Sequence, residues 1–447
     1  MNTVAIIGAG LAGCECALRL AHSGIDVTLF EQKPVRMSPA HTSPLLAELV
    51  CSNSLRSDEL KSGVGLLKEE MRALGSRFMR CADDARVPAG KALAVDREAF
   101  SAAMSRMIEE EPRITLVRKG INAIHDPELE AFTHVVFAAG PMADARLASS
   151  LATLLGEDNL YFYDAIAPII SGDSINMDIA FWGSRYEDPG EGGDYLNCPM
   201  TEEEYRRFYT ALMEADKVGA HGFEEEKHFE GCMPVEALAE RGDRTLTFGP
   251  LKPVGFTDPR TGRRPYALLQ LRPENLNRDM FNLVGCQTKL TYSAQEKVFR
   301  LVPGLEGAAF MRHGSMHRNT YVNAPQVLDE RLALRADPRI RMAGQVTGVE
   351  GYVESAASGL WLAMLLVSEL HGEPLGAPPA TTALGGLLRH LHTPVKHFQP
   401  SNINFGLLPE LGERARKKDR KALYAARAQE EFQAWLAQVP GGLRRVS

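Results

Sequence analysis

Two of the cysteines lie in segments whose residue types suit a reactive thiol. Cys51 is followed by the polar run Ser52 to Asp58, in which Arg56 carries a positive charge. Cys232 has a glycine before it and a proline two residues after it, which predicts an exposed turn. A thiolate is a strong nucleophile and can accept a proton, and a neighbouring cation lowers a thiol pKa. From the sequence alone, either cysteine is open to a reactive or a purely structural role.

The other cysteines show no pattern typical of a metal site. The chain has seven cysteines, an odd number, and no C-x-x-C pair stands opposite a second pair. A zinc site and a disulfide framework are therefore not expected, and we predict no bound metal. Free cysteines behave mostly as small buried hydrophobes, which we expect of Cys14, Cys16, Cys81, Cys198 and Cys286.

The elements that must position any reactive group begin with a glycine-rich loop near the N-terminus. The apolar run Thr3 to Ile7 predicts a strand, Cys14 to His22 a helix, and Ile25 to Phe30 a second strand. An acidic residue follows, 18 positions after the last glycine of the loop. In this context the glycine pattern predicts a dinucleotide site. The residues expected to hold the dinucleotide are Gly8, Ala9, Gly10, Leu11, Ala12, Gly13 and Glu31.

Each glycine in that loop has a physical reason. Gly8 permits a sharp turn, Gly10 lets the backbone approach a pyrophosphate, and Gly13 lets the helix pack closely on the sheet. The helix N-terminus presents free N–H groups to the phosphates. Glu31 can accept hydrogen bonds from ribose hydroxyls. The alternative is a glycine-rich turn that holds no ligand.

Two later strand ends indicate that the dinucleotide is FAD. Thr133 to Ala139 predicts a buried strand that closes on a glycine, as in FAD proteins of the glutathione-reductase type. Ile340 to Ala343 enters a second glycine-rich loop, and a helix is expected from about Val353. A second G-x-G-x-x-G is absent from the sequence, so we expect no separate NAD domain. These loops add Gly140, Gly344, Gln345, Gly348 and Gly351 to the predicted cofactor contacts.

Length and residue character predict two domains. A chain of 447 residues exceeds the roughly 250–300 residues at which single cores stop growing. We expect an α/β fold: a Rossmann-type, glutathione-reductase-like FAD-binding domain formed by residues 1–165 and 326–447. Residues 166–325 would form an inserted α+β domain. No apolar run approaches the ~20 residues that span a bilayer, so we expect no membrane partner and a cytoplasmic protein.

Positive charge is concentrated near the C-terminus. The net charge is −7, but residues 380–447 hold 11 Lys and Arg against 5 Asp and Glu, which leaves −13 for the rest. The run from Arg414 to Lys421, with Lys417 and Lys418 at its centre, is either a solvated helical face or a phosphate-contacting patch. Arg263 and Arg264 could supply further phosphate contacts.

Several long segments resemble one family, the bacterial folate- and FAD-dependent tRNA (uracil-5-)-methyltransferases. The resemblance spans nearly the whole chain and is far more specific than a glycine motif. The segments that carry it are GAGLAG (8–13), CSNSLRSD (51–58), YLNCPMTEEEY (195–205), FEGCMPVE (229–236), MHRNTYVNAP (316–325) and AGQVTGVEGYVESAASG (343–359).

The resemblance implies an activity and its co-substrates. Such enzymes make ribothymidine in the T-loop of tRNA, with a carbon from 5,10-methylenetetrahydrofolate, FAD as the cofactor and NAD(P)H as the reductant. Cys232 would attack uracil and Cys51 would help to remove a proton, although two thiols beside one ring could exchange duties. The matching MHRNTY segment offers residues that face folate or nucleotide, or that only build the joint between domains: His317, Arg318, Asn319 and Tyr321.

Three other functions stay open at this point. A related flavoprotein works with a GTPase on the wobble uridine of tRNA. An ordinary flavin oxidoreductase would act on a small molecule and need neither Cys232 nor the basic run. A non-catalytic flavoprotein would bind tRNA without folate-dependent turnover.

Overall fold

The fold was analysed in a computed structural model. It describes residues 4–38, 40–156, 160–185, 193–218, 233–275, 277–396, 398–412, 416 and 419–444; for 160–164, 317, 318, 442 and 444 it describes the backbone alone.

The strands of the described residues, in chain order, are β1 Val4–Ile7, β2 Val27–Phe30, β3 Ser54–Ser57, β4 Arg86–Val87, β5 Ala92–Val95, β6 Ile114–Val117, β7 His134–Phe137, β8 Leu160–Ile166, β9 Ile169–Ser171, β10 Phe181–Gly183, β11 Tyr195–Met200, β12 Ala267–Pro273, β13 Met280–Leu283, β14 Phe310–Arg312, β15 Ser315–Tyr321 and β16 Ile340–Met342. The helices are α1 Leu11–His22, α2 Gly63–Ala73, α3 Arg77–Asp84, α4 Arg97–Glu110, α5 Ala145–Leu155, α6 Glu202–Glu214, α7 Val235–Ala239, α8 Thr245–Phe248, α9 Tyr292–Phe299, α10 Ala324–Val327, α11 Tyr352–His371, α12 Ala383–His392, α13 Arg420–Leu436 and α14 Gly441–Arg444.

A five-stranded parallel sheet, in the order β16-β7-β1-β2-β6, carries the N-terminal unit. Every residue of β1 is buried, as expected of a strand that helices cover on both faces. The predicted strand, glycine loop, helix and strand are all present, with α1 three residues longer at its start than its apolar pattern indicated. The Rossmann-type α/β fold is confirmed.

Two glycines allow α1 to sit close to its neighbours. A Cβ atom on Gly13 would lie 1.9 Å from the carbonyl oxygen of Gly8, so only glycine fits where α1 passes the end of β1. A Cβ atom on Gly359 would lie 2.2 Å from the carbonyl oxygen of Ala12, where α11 packs on α1. Side chains at either place would force the backbones apart, and the start of α1 would move away from the sheet.

A second sheet and a second hydrophobic core lie in the middle of the chain. The sheet is antiparallel, six-stranded and ordered β10-β11-β12-β13-β9-β14. Its buried apolar residues, between Ile170 and Ala308, form a cluster separate from the larger one around the parallel sheet. Helix α6 begins with a capping box of Thr201 and Glu204, which satisfies its free N–H groups. The boundaries at 165/166 and 325/326 stay a prediction.

The two cores meet along two structural links. Strands β8 and β15 pair antiparallel and cross from one core to the other. Beside them, Arg272 at the end of β12 donates to the side chains of Ser52 and Asn53 at 2.7 and 2.6 Å. The segment that carries Cys51 is therefore held by residues of the second core.

The C-terminal region packs on the first core, with the described part of its helix following the basic run. Helix α13 begins only at Arg420, and Arg416 is exposed before it. Arg414, Lys417 and Lys418 lie outside the described residues.

Helix α11 is the one described helix that is long and apolar enough to cross a membrane by length and composition. Of its most apolar window, 78% is buried inside the protein. Core helices of soluble proteins pass the same test, because burial against other helices and burial in lipid select similar residues.

Candidate functional site

A cleft opens at the carboxyl end of the parallel sheet, where the glycine-rich loop meets the loops after β7 and β16. Lys33, Lys119 and Tyr352 are among the side chains that line it. Ligands of open α/β sheets bind outside the carboxyl ends of the strands, so this is the expected place for a dinucleotide. The predicted cofactor residues that line the cleft are Gly8, Ala9, Gly10, Leu11, Ala12, Glu31, Gly140, Gly344 and Gln345.

The start of α1 is shaped to accept a phosphate. A Cβ atom on Gly10 would meet no protein atom within 4 Å, and the same holds for Gly140. Gly10 is the N-cap of α1, no side chain caps this helix end, and its first turn holds no acidic residue. The free N–H groups and the positive end of the helix dipole therefore face open space in the cleft. This arrangement fits the pyrophosphate of a dinucleotide.

Glu31 is fixed at the end of β2 by two backbone donors. The N–H of Ala9 donates to one carboxylate oxygen and the N–H of Lys33 to the other, each at 2.8 Å. A carboxylate has about four acceptor sites, so lone pairs remain for two ribose hydroxyls. The carboxylate also locks the glycine loop to β2, which holds the loop in its open shape.

Three predicted cofactor residues lie away from the surface of the cleft. Gly13 lies beneath it, packed on the backbone of Gly8. Gly348 has a φ of +95°, and a Cβ atom there would be 2.4 Å from the ring of Phe398. At Gly351, with a φ of +112°, it would be 2.4 Å from the carboxylate of Glu354. These glycines shape the loop before α11, and their contact with a cofactor stays a prediction.

Cys51 lies beside the cleft and next to Tyr352. Val50 lines the cleft, and the N–H of Ala47 donates to the carbonyl oxygen of Ala9 at 2.9 Å, which ties this segment to the glycine loop. The Cys51 sulfur is 2.8 Å from the hydroxyl oxygen of Tyr352. Cys51 is partly exposed, whereas the other five cysteines of the described residues are buried and free, as predicted. Among the described cysteines, Cys51 alone is open to reagents.

The cations around Cys51 are not the one that its sequence neighbourhood suggested. Arg56 pairs with the buried carboxylate of Glu354 instead. The guanidinium groups whose charge interacts with Cys51 belong to Arg97, Arg272 and Arg312.

Few carboxylates interact with these three guanidinium groups. Arg97 forms an ion pair with the buried Glu274, at 2.6 Å. Burial alone would lower the pKa of Arg97, but Glu274, Tyr352 and Cys51 together raise it. Burial lowers the pKa of Arg272 and of Arg312. Two carboxylates, Glu274 and Glu48, interact with these three cations, so positive charges outnumber carboxylates around Cys51.

The remaining predicted site residues are placed as follows. Cys232 lies outside the described residues, and the side chains of His317 and Arg318 are not described. Asn319 is buried on β15. Tyr321 is also buried, with its hydroxyl donating to the carbonyl oxygen of Phe398 at 3.3 Å. Both residues lie on β15, which pairs with β8, and their contact with substrate stays a prediction.

Sequence reasoning missed Tyr352 and the three arginines beside Cys51. Tyr352 stands inside the quoted segment AGQVTGVEGYVESAASG, so its place before the helix was a usable signal. The arginines come from α4, β12 and β14, far apart in the chain, and no local pattern marks them. As for metals, no cluster of three or more His, Cys, Asp or Glu within the described residues could hold an ion.

The chain is similar to known proteins over nearly its full length. Residues 3–374 match the family model described as glucose inhibited division protein A. A protein of Nitratidesulfovibrio vulgaris (strain DP4) is 65% identical over 98% of this chain and 91% of its own length. One from Geobacter sulfurreducens is 55% identical, over 98% and 100%. Both are named methylenetetrahydrofolate--tRNA-(uracil-5-)-methyltransferase TrmFO.

Among solved structures, GidA of Aquifex aeolicus has a similar fold. The TM-score is 0.66 at 15% sequence identity, and the match covers 99% of this chain and 73% of GidA. A second crystal form of the same protein gives a TM-score of 0.65 over 96% of this chain. At this identity the likeness speaks for the fold alone.

Proposed function

The chain belongs to the family of the methylenetetrahydrofolate--tRNA-(uracil-5-)-methyltransferases, and from this premise we infer that it methylates carbon 5 of the T-loop uridine of tRNA. The single observation that carries this function is 65% identity over 98% of the chain to a relative of that name. The cleft at the end of the parallel sheet supports it, because the reaction needs a bound FAD.

The residues of the cleft fit FAD. The open space above Gly10 and the free N–H groups of α1 would receive the pyrophosphate, and Glu31 would receive the ribose. Gly344 and Gln345, close to the start of α11, would meet the flavin end. When bound, FAD supplies the hydride that reduces the transferred methylene to a methyl group. We propose NAD(P)H as the source of that hydride, a role that needs no domain of its own.

Two thiols divide the work on uracil in this proposal. Carbon 5 of uracil is a poor nucleophile, and a thiolate that adds to carbon 6 produces an enolate that activates it. We assign this addition to Cys232, on the motif FEGCMPVE. A base must then take the proton from carbon 5, and we assign that step to Cys51. The partly exposed position of Cys51 beside the cleft supports this role.

Folded tRNA requires contacts beyond the reacting base. We propose that the target uridine leaves its stack to reach Cys51, as bases must for chemistry on their ring atoms. The segment MHRNTY, with His317 and Arg318, is proposed to face folate or nucleotide. The basic run from Arg414 to Lys421 is proposed to hold phosphates. We propose a cytoplasmic protein, because the proposed substrate is tRNA.

One specific observation favours a second function. Residues 3–374 match the family model described as glucose inhibited division protein A, and this match would also fit a flavoprotein that acts on the wobble uridine of tRNA. The two functions differ in the target nucleotide and in the need for folate. A single assay can therefore separate them.

The test offers the purified, FAD-loaded protein two transcripts, one tRNA with uridine in the T-loop and one with that uridine replaced by cytidine. With methylenetetrahydrofolate and NAD(P)H present, nucleoside analysis should find ribothymidine only in the first. Omission of folate should abolish the product. Modification of a wobble uridine, or product without folate, would instead support the second function.

A charge reversal tests the proposed phosphate contacts. Lys417→Glu with Lys418→Glu should weaken tRNA binding and lower the slope of log K against log salt by about 2, roughly one for each lost phosphate contact. Arg206→Glu with Arg207→Glu makes the same charge change on the exposed face of α6, beside Glu202 and Glu203. This control should keep the wild-type slope. An equal slope in all three proteins would mean that the basic run is a solvated surface.

A further inference from the structure

The hydroxyl group of Tyr352 has three polar neighbours on the segment of the exposed thiol. The backbone N–H groups of Cys51 and Ser52 donate to the phenol oxygen at 2.7 and 3.2 Å. The third neighbour is the sulfur of Cys51, 2.8 Å from the same oxygen. Tyr352 is the first residue of α11, and its side chain lines the cleft. One phenol thus joins the cleft to the thiol.

The two N–H groups fix the direction of the hydrogen bond between oxygen and sulfur. A phenol has one hydrogen to donate and lone pairs that accept. Because the N–H groups of Cys51 and Ser52 occupy the accepting side, the O–H hydrogen is directed to the sulfur. Burial raises the pKa of Tyr352 well above its usual value, and the charge of Cys51 raises it further, so the phenol keeps this hydrogen at neutral pH.

The charges around the sulfur also favour the ionised form of the Cys51 thiol. Ionisable groups on α4, β12, β14 and α11 interact with Cys51. Among them are the guanidinium groups of Arg97, Arg272 and Arg312 and the neutral phenol of Tyr352. The carboxylate of Glu274 pairs with Arg97, and that of Glu48 interacts with Arg312. Cations and a donated hydrogen bond both favour the charged form of a thiol.

We propose that Tyr352 is a positioning residue that holds Cys51 as a thiolate beside the cleft, ready to take the proton from carbon 5 of uracil. The inference rests on the proposed function for the identity of that proton. Tyr352 acts through Cys51 and keeps its own hydrogen throughout.

The proton transfer is balanced without a further reactant. The C–H bond of carbon 5 breaks, and an S–H bond forms on Cys51. The electron pair of the C–H bond becomes the double bond to the transferred methylene carbon. The folate nitrogen that carried this carbon leaves with the electron pair of its C–N bond.

The test is the pH dependence of alkylation at Cys51 in the FAD-loaded protein, with neither RNA nor folate present. Iodoacetamide reacts with the thiolate, and peptide mass spectrometry resolves Cys51 from the other cysteines. Tyr352→Phe removes the donor and keeps the ring, so the midpoint of the pH profile of Cys51 alkylation should rise by about 1–2 pH units. A shift of this size corresponds to the free energy of one hydrogen bond to a charged group. In turnover, kcat should fall about 10-fold with KM for tRNA unchanged.

A matched control is Tyr209→Phe, which removes a hydroxyl that donates to the carbonyl oxygen of Ala239 in the second core, at 3.1 Å. It should leave the midpoint at Cys51 unchanged. If Tyr352→Phe loses FAD, 3-fluorotyrosine at position 352 serves instead. It is a stronger donor than tyrosine, so the midpoint should fall.

The outcomes separate this inference from the function on which it rests. A midpoint that moves in neither Tyr352 variant overturns the positioning role, even where the wild type methylates tRNA. A midpoint that moves as expected supports the hydrogen bond, and wild-type methylation then decides the proposed function independently.

Discussion

Replacing Cys232 with alanine is expected to lower methyl transfer to tRNA by at least about 10³-fold while FAD stays bound, because the variant lacks the thiol assigned to activate carbon 5 of uracil. The measurement is the rate of ribothymidine formation, with the visible flavin spectrum recorded on the same sample. The role of Cys232 is assigned from the segment FEGCMPVE, so this variant tests that assignment directly.

The matched control is Cys286→Ala, at a buried cysteine of the second core. It loses a similar side chain and should keep activity within a few-fold of wild type. A tRNA with 5-fluorouridine at the target then separates the two thiols. Its fluorine cannot leave as a proton, so a covalent protein–RNA complex should accumulate with Cys51→Ala but be absent with Cys232→Ala. The reverse pattern would exchange the two roles.

The second large effect is expected at the glycine loop. Gly10→Ala should lower the affinity for FAD by roughly 10- to 100-fold, the equivalent of the ~1–3 kcal/mol that an extra methyl group costs in a packed site. The methyl group meets no protein atom within 4 Å, and Gly10 has an ordinary φ of −77°, so the fold itself should tolerate it. The clash would be with the pyrophosphate alone.

Fluorescence titration of the apoprotein with FAD, together with the melting temperature of the apoprotein, checks this expectation. Gly376→Ala is the control, since a Cβ atom there also meets nothing within 4 Å and the residue lies outside the cleft. Both variants should melt near wild type, and only Gly10→Ala should bind FAD weakly. Equal FAD affinity in the two variants would mean that the pyrophosphate lies elsewhere.

The glycine loop and the parallel sheet could be predicted from the sequence because their determinants are local. Strand, turn and helix follow within about 30 residues, and each glycine has a steric reason there. Gly13 shows this well, since its place against Gly8 follows from the motif alone. The antiparallel sheet was harder to predict from the sequence. Its paired strands are separated by long stretches of chain, which leave no fixed spacing between them.

The groups around Cys51 could not be predicted from the sequence either, because they come from distant parts of the chain. Arg56 was the nearest cation in sequence, yet it pairs with Glu354 on α11. The cations that do reach the thiol come from both cores, and Arg272 reaches it only because β12 ends at the junction. A site assembled by tertiary packing leaves a trace in sequence only where, as at Tyr352, one member lies in a distinctive segment.

The measurement that tests the central claim most directly is the origin of the new methyl carbon. The FAD-loaded protein would receive a T-loop transcript, NAD(P)H and 5,10-methylenetetrahydrofolate labelled in its methylene carbon. The account predicts the label in the methyl group of ribothymidine, one per tRNA. Label that stays out of the tRNA while unlabelled ribothymidine forms, or no ribothymidine from protein that holds FAD, would contradict it.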